Sequence, residues 1–411
     1  MQQEVCTVSN CARPPRLLLI STSNAVGGME RVVIGLARAF TGRGWAVRAV
    51  FPDSLSESHA AALREMAGEY GVEVEQSPAV LPARQPRTFR DMRALRSLVR
   101  ESSPDVVNMH FGMGHLSIKD VAAVRFAGRH RLVLKMAQAI PWEVVGLRRR
   151  RSTRLAALLA DAVIANSRGT RQHLRQAGVP AGKLRVVYNG HRPPLPLSQA
   201  EARAELGLPE DAFVVGAAGR VGLEKGYLEV VEAVGRLGDT DPAMRLVIAG
   251  DGPERPRLEA RVEERLGDRG TVLGWLSDAG PLYAASDVFV LPSEREGFGN
   301  VYVEAAFYGV PSIGLRVRGV VDAVADGKTG LLLPDRDVET VARAIARLRD
   351  DTHLRAEMGE AARERALATF TERHMADGYE AVFRERGLTR DALRRVPPGP
   401  ARVEPQTECQ P

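Results

Sequence analysis

The sequence predicts an α/β protein of two domains, each a parallel sheet covered by helices, facing one another across a cleft. Three observations predict this. The 411 residues exceed the ~100–200 of a single domain. Short β-branched runs alternate with longer amphipathic stretches, as strands and helices do in a parallel sheet. The alternation breaks once, at His191-Arg192-Pro193-Pro194-Leu195-Pro196, and then begins again. Prolines at this density lack amide donors and favour extended chain, as in a linker.

The first half opens with a predicted strand over Leu17–Ser21, a turn at Gly27–Gly28 and a helix over Met29–Thr41. Strands follow over Ala46–Phe51, Asp105–His110, Leu132–Met136, Ala162–Ala165 and Leu184–Tyr188, with helices over Phe89–Glu101 and Thr170–Gln176. After the prolines come strands over Val214–Ala218, Leu246–Ala249, Val288–Leu291 and Pro311–Gly314, with helices over Tyr227–Leu237, Arg257–Leu266 and Asn300–Tyr308. A last helix, about Glu372–Arg386, either caps the second domain or crosses back to the first. The expected division is a tail over 1–14, a first domain over 15–192, a second over 193–371, the helix over 372–388 and a tail over 389–411. The tails are polar or proline-rich and aperiodic, and are expected to be disordered.

Composition narrows the class. The 44% hydrophobic and 26% charged fractions are those of a globular protein. All three cysteines (Cys6, Cys11 and Cys409) lie in the tails, so none staples the body, which fits a reducing compartment. No apolar run approaches the ~18 residues that cross a bilayer, and the start lacks a signal-peptide pattern. The expectation is a cytoplasmic protein. Residues 1–192 hold 29 Lys/Arg and 14 Asp/Glu, while the rest holds 28 and 37. A basic half beside an acidic half suggests an anionic partner on the first, although arginine-rich surfaces also follow from coding bias.

The residues richest in chemistry are Ser293-Glu294-Arg295-Glu296-Gly297-Phe298-Gly299-Asn300-Val301-Tyr302-Val303-Glu304, after the strand VFVLP. Glycines permit a tight strand-to-helix turn and close approach of a ligand. The amides opening the next helix suit a phosphate. Glu296 lies in the loop and Glu304 on the second helical turn, so the two acids address different parts of one ligand. The plainer alternative is two solvated surface acids. Arg220 and Lys225 in Gly219-Arg220-Val221-Gly222-Leu223-Glu224-Lys225-Gly226 are candidates to converge on an anion. Ala249-Gly250-Asp251-Gly252-Pro253 forms another glycine turn after a strand. His110 ends a strand, where side chains reach the cleft; a lone histidine is more often simply packed.

The stretch LPSEREGFG, with Glu296 and Glu304, resembles the Glu-x7-Glu motif of retaining GT-B glycosyltransferases, the family 4-like "glycosyl transferases group 1". The resemblance covers about residues 16–388. It implies a GT-B fold of two Rossmann-like domains and transfer of a sugar from a nucleotide-diphosphate sugar (UDP- or GDP-linked) to a polysaccharide, lipid-linked or small-molecule acceptor. It implies that Glu296 contacts the donor sugar, that Glu304 contacts the nucleotide ribose, and that Phe298, Gly299 and Asn300 offer backbone amides. Arg220 and Lys225 resemble the family's diphosphate clamp, and Asp251 lies in its turn beside the nucleotide. Trp275 falls where the family borders the base, with core packing as the alternative. Gly28 belongs to the glycine loop that closes toward the donor phosphate, and His110 matches the family histidine beside the reacting sugar. Arg318 and Asp322 depart from the Gly-Gly and Glu usual near the donor phosphates.

No metal-ligand cluster or Asp-x-Asp pair appears, so metal-independent chemistry without a resident cofactor is expected. The basic run Arg148-Arg149-Arg150-Arg151 leads into Leu155–Ala160, and such segments adhere to anionic leaflets. A peripheral site at the inner face of the plasma membrane, in exopolysaccharide or glycolipid synthesis, is one expectation; a solvated helix face is the other. A nucleotide-sugar epimerase of the same fold is the nearest rival. A polyanion-binding role rests on the pI of about 9.5 alone, and no nucleic-acid motif supports it.

Overall fold

The computed structural model describes residues 13–23, 27–82, 87–112, 116–138, 140 and 142–385. Of the expected tails over 1–14 and 389–411, residues 1–12 and 389–411, and with them all three cysteines, lie outside the described residues, while Arg13 is described and donates from Nη2 to Asp105 Oδ1 at 3.0 Å.

Among the described residues the first domain carries seven strands: β1 (Arg16–Ser21), β2 (Ala46–Pro52), β3 (Glu75–Ser77), β4 (Val106–Phe111), β5 (Arg131–Met136), β6 (Ala162–Ala165) and β7 (Leu184–Val186). Its helices are α1 (Gly28–Thr41), α2 (Glu57–Glu69), α3 (Phe89–Ser102), α4 (Ile118–Arg125), α5 (Trp142–Val145), α6 (Leu147–Leu159) and α7 (Arg168–Gln176). The second domain carries β8 (Phe213–Ala218), β9 (Met244–Ala249), β10 (Gly270–Gly274), β11 (Val288–Leu291), β12 (Ser312–Leu315) and β13 (Gly330–Leu333). Around them pack α8 (Gln199–Glu205), α9 (Tyr227–Gly238), α10 (Arg255–Leu266), α11 (Gly280–Ala285), α12 (Asn300–Phe307), α13 (Val320–Ala323), α14 (Val338–Asp350) and α15 (Thr352–Thr369), before α16 (Glu372–Arg384) closes the chain.

Both sheets are parallel, in the orders β3-β2-β1-β4-β5-β6-β7 and β10-β9-β8-β11-β12-β13. Each order reverses once, between β1 and β4 and between β8 and β11. Such reversals open a crevice at the strands' carboxyl ends, where ligands bind in open sheets. The strands are apolar on both faces because helices cover both. In the first domain Leu18, Ile20, Val107 and Leu134 face one helical layer, and Leu17, Leu19, Val106 and Val133 face the other.

The final helix settles a point that the sequence left open. Met375, Ala376, Tyr379, Val382 and Phe383 of α16 pack with α1 against the first sheet. Getting there requires a second crossing, and it runs beside the first. His191 pairs with Thr371, its amide donates to Phe370 O at 2.8 Å, and Glu372 N donates back to His191 O at 2.9 Å. The two crossings are held further by the rings of Tyr188, Phe298 and Phe370, whose centroids lie 5.4 to 5.5 Å apart.

Candidate active site

The carboxyl ends of β1, β4 and β5 present one row of polar side chains. Strand register aligns Ser21 with His110 and His110 with Lys135, and alternation turns all three toward the α1/α16 layer. His110 is fully buried. Its Nε2 lies 2.7 Å from Asn108 Oδ1, and its ring stacks on Tyr379 of α16 at 6.3 Å. Burial, with the charge of Lys135 beside it, holds the imidazole well below its usual range. Lys135 is also fully buried, and Nζ donates to Asn189 Oδ1 at 3.0 Å. Burial pushes this amine down to about 7, against the pull of Glu30. Glu30, in the first turn of α1, is pushed up to about 7 by burial although Ser21 and backbone amides bond it.

In the second domain β11 leads into the Glu296 loop and then α12. Lys225, at the end of a short 3-10 turn after β8, donates from Nζ to Glu296 Oε1 at 2.7 Å. Both side chains are mostly buried, 15% and 13% exposed. Arg220 does not join them here. Its guanidinium is 58% exposed and pairs with Glu224, so in this structure Arg220 and Lys225 hold two different acids. Asp251 accepts from Gly252 N at 2.7 Å and lies within 3.8 Å of Arg255. Trp275, just past β10, is 43% exposed rather than packed in the core. Phe298 is buried against Tyr188 and Phe370, leaving its backbone as the part that can meet a ligand. Gly299 caps α12 in the left-handed region at φ +83°.

Glu304, one turn further along α12, is the most constrained acid of the site. Tyr283 Oη donates to Oε2 at 2.7 Å, and His191 Nδ1 lies 3.4 Å from Oε1. Burial alone would raise this carboxyl, but His191, Arg31 and Tyr283 together hold it down at about 2. It is therefore an ionised acceptor at neutral pH.

The two halves of the site touch. Asn189 Nδ2 donates to Asn300 Oδ1 at 2.9 Å, which links buried Lys135 to the first residue of α12. Gly28 abuts the same residue, and a Cβ there would stand 2.2 Å from Asn300 Nδ2. A Cβ on Gly297 would stand 2.0 Å from Ala137 O. The Gly297 carbonyl accepts from Ser167 Oγ at 2.6 Å. Arg31 Nη2 donates to Ser277 O at 3.0 Å. Asp322 accepts from Arg168 N at 2.6 Å and Tyr188 Oη at 3.3 Å, and Arg318 reaches Gln176 Oε1 at 3.3 Å. The segment that departs from the family pattern thus leans on the first domain.

The structure brings together Gly28, Asn300, Lys225 and Glu296 with Glu304 on the helix behind. It leaves Arg220, Asp251 and Trp275 toward solvent and His110 beneath the surface. Arg31, Lys135, Asn189 and His191 were missed. Lys135, a lysine inside the apolar run LVLKMA, was the one available signal. Among the described residues no three His, Cys, Asp or Glu side chains gather as a metal site.

The model of Glycosyltransferase Family 4 matches residues 26–193, and that of Glycosyl transferases group 1 matches residues 198–365. The lipopolysaccharide core biosynthesis glycosyltransferase LpsE of Rhizobium meliloti is 34% identical over 221 residues, 53% of this chain and 63% of its own. The alpha-D-kanosaminyltransferase of Streptomyces kanamyceticus is 35% identical over 193 residues, 46% of this chain and 50% of its own. The aligned part thus spans between half and two thirds of these relatives' length. In fold the chain resembles Anabaena HepE, solved in complex with UDP and glucose, at TM-score 0.74 and 23% identity over 89% of this chain and 98% of that one. A glycosyltransferase from Rickettsia africae gives TM-score 0.75 at 18% identity, covering 91% of this chain and 99% of that one.

Proposed function

Since the chain belongs to the GT-B glycosyltransferases, with a family 4 half followed by a group 1 half, we propose that it moves a sugar from a nucleotide-diphosphate sugar to an acceptor hydroxyl, with retention and without a metal. The observation that carries this is the Lys225–Glu296 pair at 2.7 Å, set before the N-terminus of α12 and opposite the Gly28 loop. A donor entering here inserts between the pair: its diphosphate takes Lys225 and the α12 amides, and its sugar hydroxyls take Glu296. Arg220, more than half exposed, swings from Glu224 to the same diphosphate.

The reaction breaks the bond between the anomeric carbon and the diphosphate oxygen and forms one to the acceptor oxygen. The acceptor proton passes to the departing phosphate on the same face of the sugar. Lys225, Arg220 and helix amides stabilise the charge that builds there, the work a divalent cation does elsewhere. His110, neutral and buried, supports the row beneath the sugar rather than taking the proton. Glu304 holds the ribose and Trp275 borders the base. The relatives include a lipopolysaccharide core biosynthesis glycosyltransferase and an alpha-D-kanosaminyltransferase, which fits a polysaccharide, a lipid-linked sugar or a small molecule as the acceptor. An acceptor borne on lipid would be met at the inner face of a membrane.

The test is nucleoside diphosphate release from UDP-, GDP- and ADP-sugars with EDTA present. One donor is expected to be cleaved slowly by water, and Glu296→Gln and Lys225→Ala should each lower that rate by ~10²–10³. Conversion of the sugar without release of diphosphate would point to an epimerase. Loss of activity in EDTA with rescue by Mg²⁺ would overturn the metal-independent chemistry.

A further inference from the structure

Lys135 stands at the buried end of a hydrogen-bonded chain that runs out to the cleft. Its Nζ donates to Asn189 Oδ1 at 3.0 Å, and Asn189 Nδ2 donates to Asn300 Oδ1 at 2.9 Å. The three residues come from β5, from the segment after β7 and from the first position of α12. Lys135 is fully buried and Asn189 nearly so. Asn300 is half-buried and Gly28 exposed, so this is the end of the chain that a ligand can reach. The Asn300 side chain ends in the space that Gly28 leaves empty, where a Cβ would stand 2.2 Å from Nδ2.

The order of donors and acceptors along this chain is set from its buried end. An ammonium donates and accepts nothing, whereas a carboxamide accepts at one tip and donates at the other. The two tips have nearly the same shape, so packing alone does not choose between them. Glu30, in the first turn of α1, favours the ammonium form of Lys135. Beside that group Asn189 turns its oxygen inward, which leaves Nδ2 for Asn300. Asn300 then accepts with its oxygen, which leaves its own Nδ2 at Gly28. Turning either amide round would set donor against donor at one link. An apolar residue at position 135 would fill the same space without the cost of burying a charge, but it would leave both amides free to turn. What the lysine adds is direction.

We propose that Lys135 is a positioning residue for sugar transfer: acting through Asn189, it holds the Asn300 side chain with Nδ2 toward the donor diphosphate. This rests on the reading above, in which that diphosphate lies at Lys225 and the first amides of α12. Asn300 then gives the diphosphate a side-chain N–H beside the backbone amides of its helix. Hydrogen bonds to a charged acceptor are the stronger ones, and charge grows on the diphosphate oxygen as its bond to the anomeric carbon breaks. The contribution is therefore largest in the transition state and is read in kcat more than in KM.

The experiment follows steady-state release of diphosphate from the accepted donor by the full chain, with the melting temperature of each variant measured beside it. Lys135→Met is expected to lower kcat about tenfold and to leave KM for the donor nearly unchanged. Asn189→Asp is the sharper variant. Both oxygens of its carboxylate accept, so it keeps the bond to Lys135 while drawing the Asn300 nitrogen inward and turning the Asn300 oxygen toward the diphosphate. It should lower kcat at least as far as Lys135→Met does while the melting temperature holds or rises, a combination that lost packing would not give. Asn300→Ala should lower kcat to a similar extent, and adding Lys135→Met to it should change kcat by no more than about twofold, because the residues act as a unit. If Lys135→Met fails to fold, Asn189→Asp and Asn300→Ala carry the same comparison. Wild-type kcat in Asn189→Asp would overturn the proposal. If all three variants keep wild-type kcat while Lys225→Ala loses it, the donor site stands and the action of Lys135 through Asn189 is overturned. If Lys225→Ala also releases diphosphate as wild type does, the donor site itself is misplaced and the proposal falls with it.

Discussion

Glu296 and Glu304 lie eight positions apart on one chain segment, yet they occupy opposite electrostatic situations. Among the described residues Glu296 pairs with one cation, Lys225. Glu304 has Tyr283, His191 and Arg31 around it, each from a different part of the chain. The sequence shows both acids because a Gly-x-Gly turn sits between them. Lys135 shows only as a lysine inside an apolar run, and Arg31, Asn189 and His191 do not show, because their partners are brought by folding from more than 50 positions away, as with Asn189 and Lys135. Lys135 makes a prediction at this scale. Burial lowers its amine from an ordinary 10.5 to about 7. Between those values the unfolded chain holds a proton that the folded chain has released, so this residue makes stability rise with pH across that window. Thermal unfolding from pH 7 to 10.5 should show a steeper rise for wild type than for Lys135→Met, and parallel curves would contradict the assignment. Gly297→Ala is a second test: its methyl would meet the Ala137 carbonyl and push the domains apart. Diphosphate release should fall by ~10² or more with little change in the melting temperature of either half.

At the scale of elements, the strands and helices flanking the site were legible because their apolar periodicity is strong. The edge strands β3, β10 and β13 were not. Glu75-Gln76-Ser77 is three polar residues that become a strand only because β2 offers a free edge, and four-residue Gly330–Leu333 is too short for a period. The helix α15 is also hidden, since its small and charged residues show almost no sidedness. Helix α6 shows more in the structure than in its sequence. Thr153, Ala156 and Ala157 are buried, while Leu147, Leu155 and Leu158 point outward among Arg148, Arg151 and Arg154. Leucines and arginines sharing one exposed face match an anionic lipid surface. Vesicles containing anionic phospholipid should sediment the protein, and replacing Arg148 to Arg151 by Gln should remove most of that binding, at ~1 kcal/mol per arginine. Binding that is equal on neutral vesicles would contradict the electrostatic part. Phe298→Ala tests the aromatic clasp at the crossings. It should cost about 3–5 kcal/mol of stability in denaturant titration, because Phe298 is enclosed by Tyr188 and Phe370.

At the scale of the molecule, the proline-dense break was enough to read two domains from sequence, because prolines cannot continue either element. The return of α16 was not readable. Its amphipathic pattern fits either domain, and only the packing of Tyr379 and Phe383 beside Phe40 and Trp45 selects the first. The consequence is a double crossing, which ties the relative placement of the domains to the segment carrying His191. No helix among the described residues is long and apolar enough to cross a membrane. In the proposed reaction this cleft offers one face of the donor sugar to both leaving group and acceptor. The most direct test is ¹H NMR of the sugar released from the accepted donor, recorded before its anomers equilibrate. With retention, the sugar is expected to appear first in the configuration it had in the donor. First appearance of the opposite anomer would mean attack from the far face and would contradict it.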